Sequence, residues 1–326
     1  MNLLRSVAAI AIGTCALVAG LVASPAAAAT TLPTYRHVVL VMFENHGYAQ
    51  VIGSPQAPYL TRLAKQGANF TQSYAIQHPS EPNYLELFSG SNHGVNNDSC
   101  PHSFSANNLA HQVIGSGRTF VGYSEGLPAA GSLTCSSGLY ARKHAPWTNF
   151  TDLSQRAVSK PYSAFPSTFS GLPSHAWVIP NLCHDMHNCS VGTGDAWAKA
   201  HLDPYAQWAK THNSLLIVTF DEDDSSGNNR IATFFVGAHI RKGNYSTHID
   251  HYRVLRTIEG IFRLPALGAA KNRTPITSVF TATSTAAGPA GTGSTPADDL
   301  NATVLGSLPS ATAIDAPRWS AWMMRR

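Results

Sequence analysis

The sequence predicts an α/β fold, a mostly parallel central sheet with helices on both faces. Two observations carry the prediction. Short apolar runs such as HVVLVMF and LLIVTF alternate with stretches such as HYRVLRTIEGIF, whose apolar residues recur at helical spacing. Several of the apolar runs also end on acids, amides or histidines, and an open parallel sheet binds its ligands beyond the carboxyl ends of its strands.

Taken in chain order, HVVLVMF (37–43) reads as a buried strand, and PYLTRLAKQG (58–67) as a helix stopped at Gly67. NYLEL, following Ser80, opens another helix. TFVGYS and AWVIP read as strands. GDAWAKAHLDPYAQWAKTH (194–212) has Trp197, Leu202, Tyr205 and Trp208 near helical spacing, with Asp195 as cap and Pro204 as a point of division. LLIVTF (215–220) and IATFFVG (231–237) are further strands, and HYRVLRTIEGIF (251–262) is a strongly amphipathic helix.

The ends of the chain read differently. Residues 1–29 have a secretory signal's pattern: Arg5, an apolar stretch from Ala8 to Val22, then small residues to Ala29. A membrane anchor is the rival reading, but the stretch is short and rich in Ala and Gly. Residues 281–326 are rich in Ala, Thr, Ser, Gly and Pro and read as a flexible tail, which leaves 30–280 as one catalytic body.

Cys15 falls within the signal, so Cys100, Cys135, Cys183 and Cys189 remain. An even number in an exported chain predicts two disulfides, with Cys100–Cys135 and Cys183–Cys189 the favoured pairing. No Cys-x-x-Cys supports a cysteine-held zinc. Charged residues make up 12% of the chain, and losing Arg5 lowers the formal charge of +4 by one. No cluster of Lys and Arg points to nucleic acid.

The chemistry collects where the apolar runs stop. ENHG follows the first strand, NLCHDMHN follows AWVIP, and DEDD follows LLIVTF. Glu44, Asn45, His184, Asp185, His187, Asp221 and Glu222 are thereby brought to one edge, where hard oxygen ligands favour a divalent cation. Read alone, DEDDSSGNN is a solvated loop, and Asp223 and Asp224 are assigned to it. Ser80 lies between Pro79 and Pro82 at the start of a helix, whose N-terminus favours an anion. Metal coordination would lower the cost of its alkoxide. There is no Gly-x-Ser-x-Gly elbow and no phosphate-binding Walker loop.

Six ordered segments, VVLVMFENHGYAQVIG, HPSEPNYLELFSG, IPNLCHDMHN, GDAWAKAHL, LLIVTFDEDD and THIDHYRVLRTIEGIFRLP, resemble the phosphoesterase family of bacterial and fungal acid phosphatases and non-haemolytic phospholipases C. That family belongs to the alkaline-phosphatase superfamily. The resemblance implies an alkaline-phosphatase-like fold and a secreted, metal-dependent phosphoric ester hydrolase acting through a phosphoserine. It implies Ser80 as nucleophile and metal contact, with Glu44, Asn45, Asp221 and Glu222 as metal ligands. Glu222 departs from relatives that carry two aspartates there. His187, His251 and His184 are implied as acids, and Asp185, Asn83, Lys143 and His144 as contacts of the phosphate. Asp185, His187 and His251 are alternatively holders of a second metal. ARKHAPW differs from the relatives' KHNP in having Ala145.

Calcium, magnesium or manganese suits the oxygen donors, while the histidines leave zinc or iron open. A small phosphate ester is the expected partner, without nucleic acid or stable membrane insertion. A phospholipase C-type phosphodiesterase and a non-catalytic binding protein on the same fold are the alternatives. The short polar tail disfavours the first, because lipases of this group tend to carry extra C-terminal β-domains. The presence of a reactive residue at every matching position disfavours the second.

Overall fold

A computed structural model describes residues 32–281. The chain divides into two units, Met1–Thr283 and Ser284–Arg326, and everything described lies in the first. The signal and tail assignments therefore fall outside the described residues.

Eight strands form the main sheet: β1 (His37–Phe43), β2 (Ala68–Phe70), β3 (Phe120–Ser124), β4 (Ser159–Pro161), β5 (His175–Ile179), β6 (Ser214–Phe220), β7 (Thr233–Gly237) and β8 (Gly243–Tyr245). Their order is β8-β2-β7-β6-β1-β5-β3-β4. β6, β1, β5, β3 and β4 are parallel neighbours. β7 runs antiparallel to both β6 and β2. The connection after β6 holds no helix of the kind that usually carries a parallel crossover. β2, β4 and β8 span three residues each and give no periodic signal in the sequence.

Five helices of seven residues or more cover the sheet: α1 (Pro58–Lys65), α2 (Ser80–Ser89), α3 (Leu109–Gly115), α4 (Val191–Ala209) and α5 (His251–Phe262). Alternation along β1 divides the core. Val38, Leu40 and Met42 pack with residues of α2, α3 and α5, including Leu85, Val113 and Ile258. Val39, Val41 and Phe43 pack with α1 and α4, through residues such as Leu63 and Leu202. Helices therefore lie on both faces, and β1 is apolar throughout because neither face meets water.

Two local expectations are corrected. α4 runs unbroken through Pro204, and Ser190 caps it, accepting from Thr193 N–H. Asp195 lies inside that helix and turns to α1, accepting from the N–H groups of Tyr59 (3.0 Å) and Leu60 (2.7 Å). α1 begins after Ala57, which offers no side-chain cap, so a carboxylate distant in sequence satisfies its first amides. Gly67 follows the end of α1, but its constraint is close approach: an added Cβ would lie 2.0 Å from the Phe235 carbonyl oxygen.

Both disulfides pair as expected, Cys100–Cys135 and Cys183–Cys189.

Candidate active site

The three strands whose ends carry acids are adjacent in the sheet, in the order β6-β1-β5. Their carboxyl ends are tied by backbone bonds: Glu44 N–H donates to Asp185 O (2.8 Å), and Asp221 N–H to Phe43 O (3.0 Å). Asn45 turns out of β1 at φ +50° and donates its N–H to Asp221 Oδ1 (2.9 Å). The left-handed conformation suits an Asn.

Ser80 is the first residue of α2 and is buried. Its Oγ lies 3.1 Å from Glu44 Oε2 and 3.1 Å from Glu222 Oε1. A hydroxyl has one proton to give, so only one of these carboxylates can receive it. The other contact demands a further proton or a cation. Burial, with the charges of Asp221 and Asp185, pushes the Glu44 carboxyl well above the carboxylate range. Burial and then Asp221 push Glu222 to about 8; burial likewise raises Asp221, and takes Asp185 to about 7.

Four carboxyl groups of this kind ionise together only around positive charge. Asn45 Oδ1, Asp221 Oδ2 and Asp185 Oδ2 are buried without a hydrogen-bond partner. Orphaned hard acceptors and unneutralised acids are what a divalent cation fits.

His144 sits fully buried, Nε2 3.3 Å from Glu44 Oε1 and Nδ1 3.4 Å from Asp185 Oδ2. Burial, then the charge of Lys143, holds its pKa down at about 3, so the ring is neutral and keeps a lone pair. Glu44, His144 and Asp185 offer ligand atoms within 4.8 Å of one another. Glu44 thus belongs both to this group and to the carboxylates around Ser80.

Lys143 donates to Asp98 Oδ2 (2.7 Å), whose Oδ1 accepts from Glu81 N–H (3.0 Å) in the first turn of α2. Burial opposes its charge, but Asp98 and the acids Glu44 and Asp221 outweigh it and raise its pKa.

Other expected residues stand apart. His184 pairs with Glu125 (Nδ1–Oε2 2.8 Å) and stacks on Trp197. His251 is buried at the start of α5, with Nε2 2.7 Å from the Asp221 carbonyl oxygen; that oxygen only accepts, so Nε2 carries the proton and braces the backbone of Asp221. Asn83 uses its whole amide on the turn before Ser80. Its Oδ1 accepts from Ile76 and Gln77, and its Nδ2 donates to Gln77 O and Pro79 O. That leaves it no group for a phosphoryl oxygen. His187 is exposed, its ring 6.0 Å from that of His144.

Two residues of the site had a signal in the sequence that went unread. Tyr84 donates its hydroxyl to Glu44 Oε1 and lies four residues after Ser80, on the same face of α2. His78 directly precedes Pro79; its Nδ1 is 2.6 Å from Glu222 Oε2 and its Nε2 3.3 Å from Asp223 Oδ1. Asp223 otherwise orders its own loop, accepting from Ser225 and Asn229 N–H groups.

This sheet is a fold also found in the alkaline-phosphatase superfamily, and the buried serine and four acids at its edge suit metal-assisted hydrolysis. A protein of that superfamily from Vibrio parahaemolyticus shares this fold, with a TM-score of 0.54 over 76% of this chain and 72% of that one, at 13% identity. The chain belongs to the phosphoesterase family, whose model matches residues 54–265, and it is a phosphoric ester hydrolase. A phosphatidylinositol-3-phosphatase of Mycobacterium tuberculosis is 50% identical over 78% of this chain and 85% of its own length. The phosphate-repressible acid phosphatase of Penicillium chrysogenum is 30% identical over 64% of this chain, but the match spans only 55% of that enzyme.

Proposed function

We propose that the protein is a secreted, metal-dependent phosphomonoesterase acting through a phosphoserine at Ser80. The observation that carries this reading is the Ser80 hydroxyl held 3.1 Å from both Glu44 and Glu222 at the start of α2. Glu44, Asn45, Asp221, Glu222 and Ser80 would hold a divalent cation, with Asp185 and His144 flanking it. When bound, the cation supplies Lewis-acid stabilisation of the nucleophile and of the phosphoryl oxygens.

The chain's own groups do the rest. Ser80 Oγ gives its proton to a neighbouring carboxylate and attacks phosphorus, while the α2 N-terminus and Lys143 favour the anionic group. His187, exposed beside the site, protonates the departing ester oxygen. Water then attacks the phosphoserine and releases phosphate. Asp185 and His144 lie beside Glu44 in the same cluster. Export is part of the proposal and is supported by the two disulfides, which suit an oxidising compartment.

The 50% identical relative, by its name a phosphatidylinositol-3-phosphatase, favours a lipid headgroup monoester as substrate. A phospholipase C-type diesterase is the competing reading, separated by whether free phosphate or a phosphorylated headgroup is released. The primary test is Ser80→Ala with p-nitrophenyl phosphate, where kcat should fall at least about 10⁴-fold with the fold intact. Retained activity would remove Ser80 as nucleophile. Chelation should abolish turnover, and re-addition of one divalent metal should restore it and identify the cation.

A further inference from the structure

Only three large apolar side chains are exposed among the described residues: Ile114 (43%), Leu133 (49%) and Leu139 (44%). Single exposed leucines are ordinary. Here two of the three lie six residues apart, Leu139 on a small hairpin and Leu133 just before it, and that hairpin leads directly into the active site. Ser136–Ser137 pairs with Tyr140–Ala141, leaving Leu139 beside Gly138 (φ +57°) at the turn. Leu133 precedes the hairpin and Arg142, Lys143 and His144 follow it.

Both neighbouring loops hold the hairpin. The Cys100–Cys135 disulfide anchors its first strand. Leu139 O accepts from Leu182 N–H (2.9 Å), at the start of the segment that carries Asp185 and His187 and is closed by Cys183–Cys189. Arg142 N–H returns to Cys135 O (3.0 Å), and its Nη1 donates to Leu133 O (2.9 Å).

The cations near this hairpin lie on its Leu133 side, while Glu125 pairs with His184 near Leu182 on the Leu139 side. The Arg142 guanidinium bonds only carbonyl, hydroxyl and amide oxygens: those of Leu133, His102, Thr148 and Asn149. It backs an open cavity of about 440 Å³ that Leu133 also lines. Gly131, just before Leu133, donates to Ser159 O (2.9 Å), which places the hairpin's base against the segment bearing exposed Arg156 and half-buried Lys160.

We propose that this hairpin is an interfacial anchor, which lays Leu133 and Leu139 onto an anionic phospholipid surface and presents the site to a headgroup monoester there. The inference rests on the lipid-headgroup reading above. Apolar tips with cations on the Leu133 side complement the acyl boundary and the anionic headgroups of such a surface. Among the described residues no helix is long and apolar enough to cross a membrane, so a contact of this body with lipid would be peripheral. The braced hairpin is already ordered, so docking costs little conformational entropy.

The test uses the full protein and the Leu133→Ser/Leu139→Ser double variant. Binding to phosphatidylcholine vesicles, with and without phosphatidylserine, is measured by co-sedimentation and needs no turnover. The wild type should bind the anionic vesicles, and the variant should bind them about tenfold or more weakly, as expected for losing two buried leucyl groups. Hydrolysis of vesicle-embedded phosphatidylinositol 3-phosphate should fall in parallel. Hydrolysis of p-nitrophenyl phosphate and of a soluble short-chain phosphatidylinositol 3-phosphate should stay within about twofold.

Equal vesicle binding by the two proteins, or none by the wild type, overturns the proposal. So does an equal loss on the soluble esters, which would make the hairpin a structural part of the site. A change of oligomeric state with vesicle binding unaltered would assign the leucines to a contact between copies. Vesicle binding by a wild type inert on both phosphatidylinositol 3-phosphates would instead reject the headgroup reading and leave the anchor standing.

Discussion

Replacing His175 by Gln should flatten the dependence of stability on pH without touching the chemistry. His175 opens β5 at the end of the strand remote from Asp185 and is fully buried. Its Nδ1 lies 2.9 Å from Val38 O and so donates, which leaves Nε2 to accept from Trp177 Nε1 (2.9 Å). The imidazole is therefore held neutral, and burial lowers its pKa from 6.5 to about 4. The unfolded chain takes up a proton near pH 6.5, while the folded chain refuses it until about pH 4. The stability it contributes is fully present above pH 6.5 and is lost as pH falls towards 4. A gap of about 2.5 pH units corresponds to about 3 kcal/mol.

Urea denaturation at several pH values between 7 and 4 should therefore give two curves that converge. The wild type starts more stable and loses about 3 kcal/mol more than the Gln variant over that interval. The variant keeps an acceptor and a donor, and its kcat at neutral pH should equal that of the wild type. Parallel curves would show that His175 is protonated, or solvated, in the folded state and would refute the buried neutral assignment.

Other expectations concern the site and its supports. His187→Ala should lower kcat about 10²–10⁴-fold on an alkyl phosphate but much less on p-nitrophenyl phosphate, whose leaving group needs no proton; His184→Ala should change neither by more than about threefold. Equal losses on both esters would take the acid role from His187. Asn83→Ala removes an amide that serves four backbone groups, and should cost about 2–4 kcal/mol in urea denaturation while KM for the residual activity changes little. A large rise in KM at full stability would return Asn83 to the phosphate. Glu259 is buried, accepts from Leu267 N–H (2.7 Å), and has its pKa raised to about 7 by burial. Its stabilisation is present below about pH 4.5 and lost as pH rises through about 7. Glu259→Gln should remove up to about 3 kcal/mol of that loss, and an unchanged pH profile would contradict it.

The sequence by itself determined the elements with strong periodicity and the residues that leave their ends. β1, β5 and β6 are apolar because both faces are covered, so their limits and the acids beyond them could be read directly. The expectation that Glu44, Asn45, Asp185, Asp221 and Glu222 share an edge needed only the rule for parallel sheets. A helix after the Ser80 turn followed from local chemistry, though it begins at Ser80 rather than at Asn83, and the family resemblance followed from six ordered segments. What a polar atom touches was not legible, because its partner is distant in the chain: Asp195 meets Tyr59, and Asn45 meets Asp221, across more than a hundred residues.

Tertiary structure alone turned His184 towards Glu125, placed His251 behind the backbone of Asp221, and spent Asn83 on its own turn. It also put His78 and Tyr84 on the carboxylates and reversed β7. Periodicity reports which face of an element is buried. The direction and partner of a hydrogen-bonding group are settled only when the faces meet, since an unpaired buried polar atom costs more than any local preference can supply.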